Sequence, residues 1–475
     1  MTTLTTDNPD HGTEHTILDP RDGSVVGTVH DDDESLVPHV IEQSRSAQRD
    51  WARVEPAERG NALIELARIL EAHSEELADL NTAETGRSPM LARAGVDAAV
   101  ATLRQYAEIG PLHAGGRLRG DPAHIDTQTP EPRGVVVALT PWNDPIAIAA
   151  GLVGAALVTG NTVIHKPSER CPHLGRRWGE LVSQVLPPHV CQTVTGGPVL
   201  GDALTRAPGA DVIAHVGSSL TGERIARAAA LTGVHVVREN GGNDPLLIDE
   251  DVDPRWAAAQ TALGALINGG QLCTAVERVF VHQAIEEPYL DALADEAEAF
   301  ARGEMWGPLV DERLRDTVHE HVADALAAGA RALTGAEVPE GAGTYYPPTV
   351  LANCEPSMRV MTEETFGPVV PVMAVHDLDH AVALANDDEY GLAATILSGS
   401  LQRTLTAAHA LEFGTVKVND VFGGAPGGSA EPRRRSGTGL GYGPGLLEEF
   451  TAQKVLHVEP LPATGTPGPR DTSGA

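Results

Sequence analysis

Residues 238–274 begin with RENGGN and end with NGGQLCT, and each end places one reactive side chain among glycines. The first end carries the carboxylate of Glu239, and the second carries the thiol of Cys273. A carboxylate that can act as a base and a thiol that can act as a nucleophile suit covalent acyl-transfer chemistry. Between them lie an acidic loop at 249–253 and a predicted helix at 254–267. This stretch therefore predicts an enzyme.

The length and charge of the chain indicate a globular protein without a nucleic-acid partner. A chain of 475 residues exceeds one ordinary hydrophobic core, so we expect two or three domains. The formal net charge of −32 opposes nucleic-acid binding, because phosphate groups bind to basic patches. The simplest interpretation of this charge is solubility.

The cysteines and the apolar runs predict a cytoplasmic protein. The 4 cysteines are scattered without a CxxC pair, which fits neither a disulfide framework nor a set of metal ligands. The polar and acidic start of the chain does not resemble a signal peptide. The most apolar run, at 146–158, is shorter than the roughly 20 residues that span a bilayer. We therefore expect no membrane partner and no metal site.

The order of the predicted elements indicates an α/β fold. A hairpin at 17–29 and helices over 34–112, with the clearest helical pattern at 57–80, precede an extended ribbon, broken by glycine and proline, at 115–133. Strands are then predicted at 134–140, 162–166, 190–194, 212–216 and 234–239, with helices at 145–158, 172–186, 199–207 and 221–231. This alternation predicts a parallel, doubly wound sheet that binds ligands at the carboxyl ends of its strands. A second α/β unit is predicted at 244–442, with strands at 278–282, 369–375, 394–397 and 415–419.

Three short motifs follow strands of the first predicted sheet. They are TPWN at 140–143, KPSE at 166–169 and GSSLTG at 217–222. The last motif opens a helix, where backbone N–H groups and the helix dipole favour a pyrophosphate, although a simple helix cap explains it about as well. The chain uses lysine only at 166, 417 and 454, so the lysine kept at a strand end indicates a need for a compact ammonium group.

These motifs, taken in order, resemble the aldehyde dehydrogenase superfamily over residues 17–458. In that family a general-base glutamate precedes two glycines and the nucleophilic cysteine follows a Gly-Gln pair. The separation here is 273 − 239 = 34 positions, which also fits. EETFGP at 363–368 and NDDEYGL at 386–392 extend the resemblance.

The resemblance implies a role for each matching residue. Cys273 would be the nucleophile, Glu239 the general base and Asn143 the donor to the substrate oxyanion. The cofactor would be held by Thr140, Pro141, Trp142, Lys166, Ser168, Glu169, Gly217, Ser218, Gly241, Glu364 and Phe366. The substrate tunnel would be lined by Asp144, Leu272, Thr274 and Phe422. Considered alone, Asn143 could equally be a helix N-cap and Cys273 a small buried residue.

The same resemblance implies NAD as the cofactor and a homodimer or homotetramer as the assembly. A carboxylate at Glu169 accepts hydrogen bonds from both ribose hydroxyls and repels a 2′-phosphate, which favours NAD over NADP. The implied architecture has a Rossmann-type cofactor domain (15–114 and 134–241), an α/β catalytic domain (242–445) and a β oligomerisation element (115–133 and 446–459). Disordered ends are expected at 1–14 and 460–475.

The predicted reaction is the NAD-dependent oxidation of an aldehyde, with a semialdehyde among the candidate substrates. Two alternatives are a CoA-acylating relative, which Glu239 opposes, and a catalytically silent binding protein on the same scaffold. Departures from the family pattern concern the substrate: Asn240 and Asp144 replace apolar residues, and the segment 300–309 is short. The run Arg433-Arg434-Arg435 could attract an anionic aldehyde, or could equally pair with acids on a neighbouring subunit.

Overall fold

The computed structural model describes residues 14–423 and 428–460. Its strands are β1 (Glu14–Leu18), β2 (Val25–His30), β3 (Gly116–Arg117), β4 (Ile125–Pro132), β5 (Val135–Leu139), β6 (Thr162–Lys166), β7 (Cys191–Thr193), β8 (Val212–Val216), β9 (His235–Glu239), β10 (Asp244–Ile248), β11 (Val276–His282), β12 (Arg331–Ala332), β13 (Thr349–Ala352), β14 (Val369–Val375), β15 (Ala393–Leu397), β16 (Thr415–Val418), β17 (Gly437–Thr438) and β18 (Thr451–Val458).

The α-helices lie between these strands. They are α1 (Val37–Trp51), α2 (Pro56–Ala72), α3 (Ser74–Thr85), α4 (Pro89–Ile109), α5 (Pro145–Val158), α6 (Pro172–Ser183), α7 (Pro198–Arg206), α8 (Ser219–Thr232), α9 (Pro254–Leu266), α10 (Glu286–Phe300), α11 (Glu312–Ala327), α12 (Arg359–Thr362), α13 (Leu378–Asn386), α14 (Leu401–Ala410) and α15 (Gly445–Glu449). Among the described residues, no helix combines the length and the apolar character needed to cross a membrane.

The first large sheet is the predicted doubly wound sheet. Its strand order is β17-β9-β8-β5-β6-β7, and the five strands from β5 to β9 run parallel. β5 reads VVVAL and is buried except at its last residue, because helices cover both faces of the sheet. Helix α5 is apolar on all sides and packs against α4 within the core. The parallel α/β prediction is confirmed.

The second large sheet forms the other α/β body. Its order is β12-β13-β14-β11-β10-β15-β16, with all pairs parallel except that of β12 and β13. The sequence pattern predicted β11, β14, β15 and β16 but missed β10 and β13. β10 begins with Asp244-Pro245 directly after the RENGGN motif, and β13 is a four-residue strand preceded by two prolines, so neither presents an extended apolar run. The two-residue strand β12 was missed as well.

The predicted ribbon forms a small antiparallel sheet of order β18-β4-β3. β4 and β18 pair over their whole length, from Thr451 opposite Pro132 to Val458 opposite Ile125. Most of β18 is exposed, including the side chain of Val455. The ribbon therefore joins two segments that are more than three hundred positions apart in sequence.

Several boundaries differ from the prediction. The helical pattern at 57–80 divides at His73 into α2 and α3, and Glu14 begins β1 rather than ending a disordered segment. The predicted disorder at 1–13 and 461–475 lies outside the described residues. The short strand β17 joins the first sheet by pairing antiparallel with β9, although its sequence falls in the predicted catalytic domain. α15 likewise packs on α5. The exact domain boundaries stay a prediction.

Candidate active site

A cavity of about 330 Å³ opens at the carboxyl ends of β5, β8 and β9, between the two large sheets. Cys273, Glu239 and Asn143 all line it, so residues that are far apart in sequence meet in one place. Predicted cofactor residues that also line it are Pro141, Trp142, Gly217, Ser218, Gly241, Glu364 and Phe366. This arrangement combines a nucleophile, a carboxylate and an amide donor around a space of ligand size.

Glu239 is the last residue of β9, and its carboxylate is held by a distant backbone amide. The Gly441 N–H donates to Glu239 Oε1 at 3.0 Å. A Cβ at residue 441 would lie 1.9 Å from Glu239 Cγ, so only glycine permits this approach. Burial raises the pKa of Glu239 to about 8, against the hydrogen bond from Gly441, which lowers it. With its pKa in this range, the carboxyl can gain or lose a proton near neutral pH.

Cys273 follows α9 through a tight turn at 267–270. Asn268 in this turn has a positive φ of 54°, and the buried side chain of Gln271 braces the turn. Gln271 Nε2 donates to the Asn268 carbonyl at 2.7 Å, while its Oε1 accepts from Val310 N–H at 2.9 Å. Burial raises the pKa of Cys273 to about 12, and the nearby carboxylate of Glu239 adds to this rise. The resting thiol is therefore protonated and needs a base or a positive charge to become a nucleophile.

Asn143 lies in the loop between β5 and α5 and reaches towards the cysteine segment. Its Nδ2 donates to the Gln271 carbonyl at 3.0 Å, and its side chain forms no cap of α5. Its own carbonyl accepts from Nη1 of the buried Arg87. Two segments 128 positions apart are thereby tied together, and the amide group is fixed beside the thiol.

Glu364 and Phe366 approach the cavity from the second α/β body. Glu364 Oε1 accepts from the Gly242 N–H at 3.2 Å, and a Cβ on Gly241 would lie 2.0 Å from the same carboxylate. Phe366 has a positive φ of 52°, and Glu277 holds its backbone N–H at 3.0 Å. Burial raises the pKa of Glu364. Because Gly241 has no side chain, the Glu364 carboxylate approaches it closely and borders the cavity directly.

The remaining predicted cofactor residues lie at the carboxyl ends of β5 and β6 and do not line this cavity. The buried Lys166 donates from Nζ to the Pro167 carbonyl at 3.1 Å and lies 3.8 Å from Glu169 Oε2. Ser168 Oγ accepts from the Arg170 N–H, and Thr140 Oγ1 shares a hydrogen bond with His165 at 2.9 Å. Because β5 and β6 are parallel neighbours, these residues lie along the same edge of the sheet as the cavity.

The start of α8 offers donors to an anion. Ser218 is the N-cap of this 14-residue helix, and its Oγ accepts from the Thr221 N–H at 3.4 Å. Gly217 and Ser218 both line the cavity. The N-terminus of α8, the Lys166–Glu169 ion pair at the end of β6 and the cavity lie along the same edge of the sheet, which fits a dinucleotide with its pyrophosphate on α8.

Among the predicted tunnel residues, Asp144 has the clearest environment. Its Oδ2 accepts from Arg87 Nη2 at 3.2 Å, while its buried Oδ1 has no hydrogen-bond partner among the described residues. Burial raises the pKa of Asp144, whereas Arg87 lowers it. Leu272 and Thr274 flank Cys273 and are partly buried. None of these residues lines the 330 Å³ cavity, nor does Phe422.

Sequence reasoning missed several lining residues. Arg170 stacks over Trp142 at 5.1 Å and forms an ion pair with Asp311 at 2.7 Å. Others are Ile148, Val216, Arg313, Leu314 and Thr317, and the cavity is also lined by Asn240, which the sequence analysis singled out only as a departure from the family pattern. Arg170 directly follows the KPSE motif, so its position was a usable signal. The residues of α11 carried no motif.

Two arginines of the run 433–435, Arg434 and Arg435, are paired within the chain. Arg434 forms an ion pair with Glu412 and donates to the Asp388 carbonyl at 2.7 Å. Arg435 bridges Glu223 at 3.0 Å and Glu389 at 2.8 Å. These contacts support a structural role for the two arginines. The acids that pair with them belong to the same chain, in place of the acids of a neighbouring subunit that the sequence analysis considered.

Comparisons with known proteins agree with this geometry. The model of the aldehyde dehydrogenase family matches residues 7–456. The 3,6-anhydro-alpha-L-galactose dehydrogenase of a Vibrio species is 32% identical and aligns with 94% of this chain and 96% of its own length. The aspartate-semialdehyde dehydrogenase 1 of Pseudomonas canavaninivorans is 34% identical, over 93% of this chain and 95% of that protein. The crystal structure of betaine aldehyde dehydrogenase from Staphylococcus aureus in complex with NAD+ has a TM-score of 0.91 at 28% identity, covering 95% of this chain and 93% of that one.

The chain therefore belongs to the aldehyde dehydrogenase family. It is an oxidoreductase that acts on the aldehyde group of its substrate and uses NAD. The CoA-acylating and catalytically silent alternatives are not favoured.

Proposed function

We propose that Cys273, Glu239 and Asn143 carry out the oxidation of an aldehyde to the carboxylic acid in two stages. The observation that carries this assignment is their meeting in one cavity, with Glu239 anchored by Gly441 and Asn143 anchored to the cysteine segment. Each anchor holds a side chain in position before the substrate arrives, which reduces the cost of ordering it during the reaction.

In the first stage the Cys273 thiol releases its proton to water and Sγ bonds to the aldehyde carbon. The carbonyl oxygen gains the electron pair, and Asn143 Nδ2 donates to the oxyanion. When bound, NAD+ would supply the acceptor for the hydride that leaves this carbon, and Cys273 would hold the resulting acyl group as a thioester. The edge of the sheet from Glu169 to Ser218 would hold this cofactor, with Glu364 beside the reacting centre.

In the second stage Glu239 takes a proton from water while the water oxygen bonds to the thioester carbon. The C–S bond then breaks, the carboxylic acid leaves and Cys273 is regenerated. A carboxyl with a pKa of about 8 is basic enough to accept this proton. Burial raises the pKa of Cys273, so the thiol does not ionise readily by itself. A positive charge on the bound cofactor would lower this pKa and favour the thiolate.

The substrate assigned by this proposal is a short aldehyde that carries a polar group, with semialdehydes among the candidates. Asp144 and Arg87 form a polar pair directly beside Asn143, where the resembled family carries an apolar residue. A relative of similar length is an aspartate-semialdehyde dehydrogenase. A panel of aspartate semialdehyde, lactaldehyde and butanal, followed by NADH absorbance with and without CoA, tests this assignment. A kcat/KM that is highest for butanal would contradict it.

The cofactor preference, the assembly and the compartment complete the proposal. The carboxylate of Glu169 at the end of β6 supports NAD over NADP. The exposed strand β18 supports a homodimer or homotetramer built through the ribbon, because an uncovered sheet edge pairs readily with another chain. The scattered free cysteines support the cytoplasm.

Replacing Cys273 by Ala tests the nucleophile directly. We expect the loss of NADH production with NAD binding retained, because the thiol forms the covalent bond but contributes little to cofactor affinity. Cys191→Ala is the matched control, since Cys191 lies in β7 and does not line the cavity. If Cys273→Ala turned over at the parent rate, the assignment of Cys273 as the nucleophile would be wrong.

A further inference from the structure

A cluster of metal-binding side chains lies at the open end of the ribbon, away from the active site. It consists of His124, His457 and Glu459, whose donor atoms all lie within 4.8 Å of one another. The sequence analysis predicted no metal site from the cysteine pattern, and the two histidines, which are 457 − 124 = 333 positions apart, show no ligand spacing. Only the pairing of β4 with β18 brings them together.

The register of the ribbon explains why these side chains lie close together. His457 lies opposite Asp126, and Val458 lies opposite Ile125 in the last pair of the ladder. His124 lies one residue before β4 and Glu459 one residue after β18, so both lie next to this last pair at the end of the ladder. The imidazole rings of His124 and His457 stand edge to face, with centroids 5.4 Å apart.

The orientation of His457 is already fixed by a carboxylate. Its Nδ1 hydrogen-bonds to Asp126 Oδ1 at 2.5 Å, which directs Nε2 towards Glu459 Oε1 at 3.3 Å. A carboxylate on the outer nitrogen of a histidine is the usual support of a metal-binding imidazole, because it fixes the tautomer and raises the basicity of the other nitrogen. The side chain of His124 has no hydrogen-bond partner among the described residues, so its ring nitrogens are available.

The distances suit a tetrahedral ion after small side-chain rotations. Bonds of about 2.0–2.2 Å in a tetrahedral site place neighbouring donors roughly 3.3 Å apart. Nε2 of His457 and the carboxylate of Glu459 already lie at this separation. The carboxylates of Asp126 and Glu459 also match the two positive charges of a divalent ion. Two imidazoles and one carboxylate leave a fourth position for water.

We propose that His124, His457 and Glu459 bind a divalent late-transition-metal ion, for which zinc is the best match, with Asp126 as the residue that positions His457. Imidazole and carboxylate ligands in a three-residue set with one open position are typical of zinc. The ion would fasten β4 to β18 just beyond their last paired residues. It would thus stabilise the end of the ribbon without contacting the aldehyde-oxidising site.

The test uses the full chain without an affinity tag, in a Cys273→Ser background that removes the one thiol lining the active-site cavity. Zinc binding is measured by calorimetry, and cobalt binding by its visible absorption, which distinguishes four-coordinate from six-coordinate ions. We expect one ion per chain and a four-coordinate cobalt spectrum. His124→Ala and His457→Gln should each weaken binding at least about tenfold, and Asp126→Asn should weaken it less.

The control variant is His39→Ala, which removes an exposed histidine of α1 and should leave the affinity unchanged. Zinc should also raise the unfolding temperature of the parent chain but not that of His457→Gln. Circular dichroism of each variant separates loss of binding from loss of folding. Absence of saturable binding, or equal affinities in His39→Ala and His457→Gln, would overturn the proposal.

Discussion

The pKa of Glu239 leads to a specific prediction about the pH dependence of turnover. Burial raises this pKa from 4.5 to about 8. In the proposed mechanism Glu239 must be ionised to accept a proton from the hydrolytic water. A carboxyl with such a pKa is ionised in about one molecule in eleven at pH 7 and in about ten of eleven at pH 9. The rate of thioester hydrolysis should therefore rise about tenfold between these pH values, because the active form is the deprotonated one.

Glu239→Gln removes the titrating group while keeping its size and one hydrogen-bond acceptor for the Gly441 amide. Hydrolysis should slow by about 10²–10⁴-fold, and its pH dependence around pH 8 should disappear. Formation of the thioester does not require this base in our proposal. The variant should therefore produce a rapid burst of about one NADH per active site, followed by a slow steady rate.

Stopped-flow absorbance of NADH between pH 6.5 and pH 9.5 measures both phases. Glu363→Gln is the matched control, because Glu363 neighbours Glu364 but pairs with Arg359 at 3.2 Å and does not line the cavity. It should behave as the parent enzyme does. If Glu239→Gln loses the burst together with the steady rate, Glu239 acts before hydride transfer and its assignment to hydrolysis is wrong.

Three further predictions concern residues of the site and the arginine run at 433–435. Asn143→Ala should lower kcat by about 10²–10³-fold with little change in KM, as measured by steady-state kinetics, because one oxyanion donor is lost; a change in KM alone would contradict this role. Glu169→Ser should narrow or reverse the ratio of kcat/KM for NAD over NADP, and a parent enzyme that prefers NADP would refute the role of Glu169. The double variant Arg434→Ala, Arg435→Ala should lose about 1 kcal/mol or less of stability per ion pair in denaturant titrations. Its kcat/KM for an anionic semialdehyde should stay unchanged, because both guanidinium groups are occupied by acids of the same chain.

The sequence predicted those parts of the fold that leave a local pattern. β6, β8 and β14 have the predicted bounds, because each is a short run rich in β-branched or apolar residues. The turn before Cys273 and the strand end at Glu239 were found through their glycines and their spacing. The helix break at His73 was not found, because an apolar stripe continues through α2 and α3.

The parts of the site that escaped prediction are long-range contacts without a side-chain signature. Gly441 acts on Glu239 through its backbone N–H across 202 positions, and a glycine in a glycine-rich loop does not stand out. The pairing of Arg87 with Asp144 likewise joins a loop before α4 to the loop before α5. Such contacts depend on how the elements pack, and no local pattern records them.

The short strand β17 has a consequence for how the protein is made. Ribosomes deliver the chain from its N-terminus, so β5 to β9 emerge long before Gly437 and Thr438, which pair with β9. Until then the edge of β9 stays open, and Gly441, which holds Glu239, has not yet been synthesised. A nascent chain can therefore build most of the first sheet early, yet the Glu239 carboxylate receives its hydrogen bond only after residue 441 has been made. Competence for the reaction should consequently arise in a late step, and chains that terminate before residue 437 would contain the sheet but lack an ordered active site.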